Sequence, residues 1–187
     1  MPIYYRDKGD FKVISYKEVA HLINTAHKIT KNLRDPAIIA LVWITGARIG
    51  EVLRLRKEDI DIDEEKNEMR IRLITEKIPN RPIRELYLSL DTPLIRTIVM
   101  KHMEQCPADN LFNIGVRRAQ QILKAVNEET GYWLTFHEFR HSRLTFLARN
   151  LRASVSEMMD WTGWKSTSEI GTYIIRGAPK RFKDKIR

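Results

Sequence analysis

The sequence has a single cysteine and no long apolar run. Its one cysteine, Cys106, cannot form a disulfide within the chain, which is typical of a protein kept in a reducing cytoplasm. The longest apolar run, residues 37–44, is far shorter than the roughly 20 residues that a membrane helix needs. Residues 1–5 have neither the basic start nor the apolar stretch of a secretory signal peptide. We therefore expect a cytoplasmic protein that does not associate with membranes.

Basic residues outnumber acidic residues by 33 to 24, which gives a net charge of +9 and an isoelectric point near 9.7. Such an excess favours a polyanionic partner such as nucleic acid, but by itself it is equally consistent with simple solubility. A chain of 187 residues, 43% of them hydrophobic, is large enough for one globular domain with a sizeable core. No internal repeat, low-complexity tract or linker divides it, so residues 1–187 are predicted to form a single domain.

Most of the chain has helical patterns with recognisable start and stop signals. Residues 15–18 and 154–157 each have the Ser-x-x-Glu sequence of a capping box, which opens a helix. Asp35-Pro36 predicts an N-cap followed by proline at the first helical position, ahead of an apolar run that should be buried. Further helices are predicted over residues 117–129, ending at Gly131, and over residues 136–150.

One segment in the middle of the chain has the alternation of β-strands. Residues 69–73 alternate apolar and basic side chains, residues 83–90 alternate in part, and the Pro-Asn-Arg-Pro sequence at 79–82 predicts the turn between them. A helix is predicted to start at Thr92-Pro93 and to end near Cys106. The expected fold class is therefore mainly α with a small antiparallel β-hairpin, an α+β arrangement.

A series of hydrogen-bond donors ending in a tyrosine suggests chemistry on a phosphodiester. Cleavage of a DNA strand needs charged donors for the non-bridging oxygens, a nucleophile in line, and a proton for the leaving oxygen. A tyrosine hydroxyl can be that nucleophile, and the ester it forms conserves bond energy. The candidate residues, in chain order, are Arg48, Lys77, His137, Arg140, Trp164 and Tyr173.

Each donor suits a different task at the phosphate. Arg48 and Arg140 are candidate oxygen clamps, because a guanidinium is permanently charged and can bind two oxygens. Lys77 is the candidate general acid for the departing 5′ oxygen. His137 can share acid–base duty or simply donate a hydrogen bond. Trp164 can hold one oxygen through its indole N–H.

At these residues the chain resembles the tyrosine recombinase (phage-integrase) family. Residues 47–51, Ala-Arg-Ile-Gly-Glu, look like its first arginine box, A/G-x-R-x-x-E, and residues 137–141 match its H-x-x-R-H box. Lys77 lies at the end of the first predicted strand, where the family has its hairpin lysine. Residues 162–164 read Thr-Gly-Trp where most members have Leu-Gly-His, and tryptophan is a known substitute. Tyr173 follows Trp164 at the family's usual spacing.

The resemblance covers residues 15–176 and implies a fold and a function. It implies the tyrosine recombinase catalytic-domain fold and site-specific DNA cleavage and rejoining through a 3′-phosphotyrosine, without cofactor, metal or ATP. It gives Glu51 and His141 supporting roles and makes double-stranded DNA the partner, bound by a tetramer. The family's N-terminal DNA-clamping domain is absent from these 187 residues. Residues 177–187 would be a tail exchanged between subunits.

The same residues also have plainer interpretations when each is considered alone. Arg48 and Glu51 are three residues apart on a predicted helix and would make an ordinary surface ion pair. Trp164 and Tyr173 would be core aromatics, and Lys77 would be a solubilising charge beside a turn. These interpretations do not account for the order and spacing of the residues together.

Two other functions remain to be compared with this one. Residues 137–141 also read H-E-x-x-H, the zinc metalloprotease motif, with His137 and His141 as ligands, Glu138 as base, and Glu157 or Glu169 as a third ligand. This alternative leaves Arg48, Lys77 and Tyr173 unexplained. A non-catalytic nucleic-acid-binding module would explain the charge but not the position of the tyrosine.

Overall fold

The computed structural model describes residues 13–75 and 83–174, and it is mostly helical with one small sheet. This confirms the α+β fold class. The helices are α1 Tyr16–Thr30, α2 Arg34–Thr45, α3 Ile49–Leu53, α4 Lys101–Gln105, α5 Val116–Thr130, α6 Phe136–Arg149, α7 Val155–Thr162 and α8 Ser168–Ile174. The strands are β1 Ile60–Asp63, β2 Glu68–Ile74 and β3 Ile83–Ser89, and a π-helical segment, Ile95–Met100, leads into α4.

Helices α1 and α7 begin where the sequence has both residues of a capping box. At the start of α1, the Ser15 amide donates to the Glu18 carboxylate at 2.8 Å, and the Glu18 amide donates to the Ser15 hydroxyl at 3.3 Å. Ser154 and Glu157 make the same reciprocal pair at the start of α7. The predicted stop of α5 at Gly131 is confirmed, with the glycine in the left-handed conformation.

The predicted start of α2 is wrong by two residues. The helix begins at Arg34 with Leu33 at the N-cap, so Asp35 lies inside the first turn and Pro36 follows it. The reason is that the Asn32 side-chain oxygen accepts the Asp35 amide at 2.9 Å and so satisfies an amide of the first turn from outside the helix. The apolar run of α2 is buried nearly all round, as predicted.

The sheet contains a third strand that the sequence analysis did not identify. The predicted pair is present as antiparallel β2 and β3, with Ile71 opposite Leu86, and β1 pairs antiparallel with the other edge of β2. Four residues of Ile-Asp alternation were too few to stand out as a strand. The predicted turn at residues 79–82 lies outside the described residues. The helix predicted from Thr92-Pro93 is present over residues 93–105 and is π-helical at its centre.

Two clusters of buried apolar side chains stabilise the fold. The larger cluster joins α1, α2 and α5 to the inner face of the sheet. The smaller cluster lies beneath α6, α7 and α8 and consists of Leu144, Leu147, Ala148, Met158, Ile170 and Tyr173. The C-terminal helices therefore pack on their own apolar patch, which fixes where residues 164–173 lie. Within residues 13–75 and 83–174, no helix has the length and apolar character needed to cross a membrane.

Candidate active site

A single cavity of about 940 Å³ collects most of the residues singled out in the sequence. It is lined by Arg48 from the start of α3, by the first turns of α6, and by Trp164 and Tyr173 from the C-terminal segment. The predicted site residues that line it are Arg48, His137, Arg140, His141, Trp164 and Tyr173. Lys77 lies outside the described residues, so its assignment stays a prediction.

Arg48 is fixed by a buried carboxylate. The Arg48 amide donates to Glu51 Oε2 at 3.0 Å, and Arg48 Nη1 lies 3.2 Å from Glu51 Oε1. Glu51 is only 1% exposed, whereas Arg48 is partly exposed and faces the cavity. The surface ion pair considered above is therefore wrong: the carboxylate lies inside the protein and holds the arginine from behind.

Arg140, on α6, reaches the same cavity and is held there by the left-handed turn that ends α2. Gly46 ends α2 with φ of +62°, and its carbonyl accepts a hydrogen bond of 2.6 Å from Arg140 Nη1. A Cβ at Gly46 would lie 3.1 Å from the side chain of Arg143, so both the backbone conformation and the close approach of α6 favour glycine here. Arg140 is 4% exposed, and the contact with Gly46 leaves its second terminal nitrogen, Nη2, pointing elsewhere.

Two buried donors in this site have no hydrogen-bond partner within the described part of the chain. These are Arg140 Nη2 and Trp164 Nε1, and the Arg140 guanidinium carbon lies 5.2 Å from the centre of the Trp164 ring. Unpaired buried donors are rare, because each forgoes the hydrogen bonds that it would make in water. Both residues line the cavity, so a ligand with acceptor oxygens bound there would supply the hydrogen bonds that these two donors lack.

The Arg140 guanidinium stays charged despite its burial. Burial lowers the pKa of Arg140 to about 10, with the neighbouring Arg48 cation as the next cause, while Glu51 raises it. Because this pKa is still well above 7, the side chain is protonated at neutral pH. Two arginines converging on one cavity therefore make a positively charged site for an anion.

Tyr173 lies on α8 with its ring in the smaller apolar cluster and its hydroxyl in the cavity. The residue is 5% exposed, and its ring stacks at 6.1 Å between centres on Trp164. Its hydroxyl makes a hydrogen bond to His141 Nδ1, and His141 Nε2 lies 2.6 Å from His137 Nε2. The core-aromatic interpretation thus describes the ring, whereas the hydroxyl remains directed at the polar site.

Arg84, on β3, connects three parts of the site, and the sequence analysis did not identify it. Its guanidinium donates to Glu51 Oε2 at 2.7 Å, to the Trp161 carbonyl at 3.0 Å and to the Thr75 hydroxyl at 3.1 Å. The first contact supports the partner of Arg48, and the second holds the end of α7 just before Trp164. An arginine in an alternating strand resembles a solvent-facing residue, so no local signal distinguished it.

Gly163 allows the close packing around Arg84. It has φ of +70°, and a Cβ there would lie 2.8 Å from the Thr75 hydroxyl and 3.3 Å from Arg84 Cδ. A side chain at this position would therefore push the sheet away from the end of α7. The glycine in the Thr-Gly-Trp sequence is explained by this contact as well as by its left-handed backbone.

We expect Arg84→Ala to destabilise the protein strongly. The change leaves the buried Glu51 carboxylate without its closest cation, and breaking a buried ion pair in this way costs about 3–5 kcal/mol. The matched control is Lys66→Ala, which removes an exposed pair with Asp63 and should cost less than about 1 kcal/mol. Urea unfolding of both variants measures the difference. Equal unfolding midpoints would mean that Arg84 does not hold the site together.

The outer rim of the cavity contributes residues that carried no motif. Trp133 is 64% exposed, and Gln120 and Lys124 of α5 are exposed beside it. These side chains combine a flat apolar surface, an amide and a positive charge at the mouth of the anion site. No sequence signal could have identified them, because Trp133 belongs to a short connection and the other two belong to the polar face of a helix. Only the fold places them at the cavity rim.

The metalloprotease geometry does not form around the H-E-x-x-H sequence. The Glu138 carboxylate accepts the Thr135 amide at 2.6 Å and caps α6, and Glu157 caps α7 in the same way. His141 has one ring nitrogen facing the Tyr173 hydroxyl and the other facing His137. Among residues 13–75 and 83–174, no three His, Cys, Asp or Glu side chains are grouped so that they could hold a metal ion. The proposed third ligand Glu157 is thus committed elsewhere.

The chain belongs to the phage integrase family, whose sequence model matches residues 12–176. It is similar to a probable integrase/recombinase protein of Methanocaldococcus jannaschii, with 32% identity in an alignment of 149 residues that covers 72% of this chain and 43% of that relative. The chain therefore spans less than half the length of that curated relative. The family predicted from the arginine box, the H-x-x-R-H box and the tyrosine spacing is confirmed.

Solved structures with the same fold include catalytic domains of tyrosine recombinases. The XerH site-specific recombinase, in a post-cleavage complex with its difH substrate, has a TM-score of 0.73 at 15% identity, covering 94% of this chain and 52% of that one. The catalytic domain of bacteriophage HP1 integrase has a TM-score of 0.69 at 14% identity, covering 95% of this chain and 94% of that one. At these identities the likeness establishes the fold, and it confirms the predicted catalytic-domain fold.

Proposed function

We propose that this protein cleaves and rejoins DNA strands as a site-specific tyrosine recombinase, through a 3′-phosphotyrosine. The observation that carries the proposal is a pair of buried donors, Arg140 Nη2 and Trp164 Nε1, that have no partner among the described residues and lie in the cavity that also holds the Tyr173 hydroxyl. Donors held in place before the substrate arrives stabilise developing negative charge without reorganising. A phosphodiester supplies both the charge and the acceptor oxygens that these groups lack.

We infer the cleavage step from the donors around Tyr173, with Lys77 assigned from its place in the sequence. The Tyr173 oxygen attacks the phosphorus and loses its proton, a bond from phosphorus to the tyrosine oxygen forms, and the bond to the 5′ oxygen of the next nucleotide breaks. Arg48, Arg140 and Trp164 hold the non-bridging oxygens, and Lys77 gives a proton to the departing 5′ oxygen. The reverse attack by a 5′ hydroxyl releases Tyr173 and rejoins the strand. Since the ester keeps the bond energy, the cycle balances without ATP, metal or cofactor.

The partner that we propose is double-stranded DNA, acted on in the cytoplasm where the nucleoid lies. The net charge of +9 supports a polyanion, and the cavity rim adds exposed Lys124 to the two arginines inside. Among the solved structures with this fold, XerH is bound to its difH substrate, and the Tn1549 transposon integrase is in complex with transposon right end DNA. We also propose assembly into a tetramer on DNA, with residues 177–187 exchanged between subunits; those residues lie outside the described part of the chain.

The direct test uses a suicide DNA substrate, in which a nick close to the scissile phosphate lets the short fragment that carries the new 5′ hydroxyl diffuse away. We expect a covalent protein–DNA adduct that survives denaturing gel electrophoresis and that forms equally well in EDTA. Mass spectrometry of the adduct identifies the attached residue. Binding of the duplex without any adduct would favour the non-catalytic module, and strict dependence on zinc would favour the metalloprotease.

DNA affinity should fall steeply with salt. Each phosphate contact releases counterions, so the logarithm of the affinity falls by about 0.9 for each contacted phosphate per logarithmic unit of salt. Lys124→Ala should reduce this slope by about 1, because Lys124 is exposed at the cavity rim. Lys66→Ala is the control, since Lys66 lies among acidic residues at the β1–β2 turn and pairs with Asp63. Fluorescence anisotropy across a salt series measures both slopes, and an affinity independent of salt would contradict the proposal.

A further inference from the structure

The two histidines of α6 and the tyrosine of α8 form a continuous line of hydrogen-bonding atoms. Tyr173 Oη contacts His141 Nδ1, and His141 Nε2 lies 2.6 Å from His137 Nε2. The histidines are one helical turn apart, with ring centres 4.1 Å from each other and ring planes at 88°. The His141 ring therefore bridges the tyrosine hydroxyl and His137 with both of its nitrogens.

The chemistry of imidazole restricts how protons can be arranged along this line. When the Tyr173 hydroxyl donates to His141 Nδ1, a neutral His141 carries its hydrogen on Nε2 and donates it to His137 Nε2. His137 then carries its own hydrogen on Nδ1. If each shared proton moves one place along the line, Tyr173 becomes a phenolate, His141 is neutral with its hydrogen on Nδ1, and His137 becomes an imidazolium. The line can thus carry one proton from Tyr173 to His137 without any side chain turning.

Burial decreases along the line in the direction that proton transfer requires. Tyr173 is buried, His141 is half-buried and His137 is exposed at the cavity mouth. The Tyr173 hydroxyl opens only onto the cavity that the DNA would fill, so with substrate bound it has little direct exchange with bulk water, whereas the exposed His137 imidazole can exchange its proton. At the buried end, the Arg140 cation favours a phenolate, and Tyr173 in turn raises the pKa of Arg140. The positive charge that appears during transfer is placed at the solvated end, where it costs least.

We propose that His141 is the catalytic base that takes the proton from Tyr173, and that it hands its own Nε2 proton on to His137. This inference rests on the proposed function and assigns a reacting role to a residue that the family resemblance gave only a supporting one. In the step, the tyrosine O–H bond breaks as the bond to phosphorus forms, and the proton ends on His137. The separate proton for the 5′ oxygen comes from Lys77, so nucleophile and leaving group use different proton carriers.

A plainer role for His141 is to orient the tyrosine hydroxyl, and one substitution separates the two roles. In His141→Asn, the short amide occupies the place of the Nδ1 edge and keeps a hydrogen-bond acceptor for the hydroxyl, but it cannot take up a proton. Loss of a general base lowers a rate by roughly 10²–10⁴-fold. We therefore expect at least about a 100-fold slower single-turnover cleavage of the suicide substrate, with DNA affinity unchanged. His27→Asn, on α1, is the matched control and should cleave at the wild-type rate.

The transfer to His137 is tested by counting the protons that move in the rate-limiting step, from the dependence of the cleavage rate on the fraction of D₂O. The substrate for this test carries a 5′-bridging sulfur at the scissile bond, because a thiolate leaves without the proton from Lys77. Its cleavage rates in mixtures of H₂O and D₂O should give a curved dependence for the wild type, because two protons then move together, from Tyr173 and from His141. His137→Ala should cleave the same substrate more slowly and give a straight line, since only the tyrosine proton then moves. This variant changes an exposed side chain, so it remains informative even if His141→Asn does not fold.

The outcomes separate this proposal from the proposed function. If the wild type forms the Tyr173 adduct and His141→Asn forms it at the same rate, the relay is wrong and the recombinase chemistry stands. A straight line for the wild-type mixture experiment would likewise remove His137 from the path. If the wild type forms no adduct at Tyr173, the proposed function itself fails, and the relay fails with it.

Discussion

We expect Tyr173→Phe to abolish the covalent DNA adduct and to leave DNA affinity close to that of the wild type. The substitution removes the oxygen that would attack the phosphorus and keeps the ring within the smaller apolar cluster, which includes Leu144 and Ile170. The lost hydrogen bond to His141 costs about 0.5–1.5 kcal/mol of stability, too little to unfold a domain with this core. Denaturing electrophoresis after incubation with the suicide substrate measures the adduct.

The matched control is Tyr87→Phe, which removes an exposed hydroxyl that donates to Glu85 on the sheet, away from the cavity lining. This variant should form the adduct at the wild-type rate. An adduct that persists in Tyr173→Phe would mean that another side chain is the nucleophile. Loss of the adduct in Tyr87→Phe would instead indicate that the assay reports a general disturbance.

The second large effect is expected for Arg140→Ala, which should slow cleavage by roughly 10²–10³-fold, equivalent to about 3–4 kcal/mol of transition-state stabilisation. The change removes a charged donor that is already in place, with Nη1 held by the Gly46 carbonyl and Nη2 unpaired within the described residues. Arg140→Lys should also be severely impaired, because a single ammonium cannot reproduce the planar fork that bonds Gly46 and the phosphate together.

Arg143→Ala is the control for burial and charge. Arg143 is on the same helix, is partly buried, and has a pKa that burial lowers to about 10, as for Arg140. Its guanidinium packs over Trp161 and Phe146 and does not line the cavity. We therefore expect Arg143→Ala to lose stability but to keep most of its cleavage rate, measured at a temperature where both variants are folded. Equal loss of rate in the two variants would mean that Arg140 acts through the fold.

The sequence predicted best where a structure depends on neighbouring residues. Both capping boxes and the stop at Gly131 were confirmed, because the atoms that satisfy a helix end lie within four residues of it. The start of α2 was wrong because the capping group comes from Asn32, just outside the apparent signal. Strand β1 was missed because four residues carry little periodicity and become a strand only by pairing with β2.

The same distinction applies to the candidate site: some of its residues could be identified from sequence motifs, and others only from the fold. Order and spacing in the sequence identified five of the cavity residues that carry the proposed chemistry and the family to which the chain belongs, because each box places its residues on one local element. They did not identify Arg84, whose three partners lie 9, 33 and 77 residues away. They also gave His141 no more than a supporting role, since its contact with Tyr173 crosses 32 residues.

By itself, then, the sequence determined the fold class, the family and the identity of the donors, since these follow from local periodicity and from short motifs. Tertiary structure decided how those donors are arranged. Burial turned Glu51 from a surface partner into the anchor of Arg48, and the turn at Gly46 left one nitrogen of Arg140 unpaired in the described residues. The packing of α8 on α6 set the tyrosine against a histidine. Burial and unpaired donors are properties of the packed molecule, and no sequence window contains them.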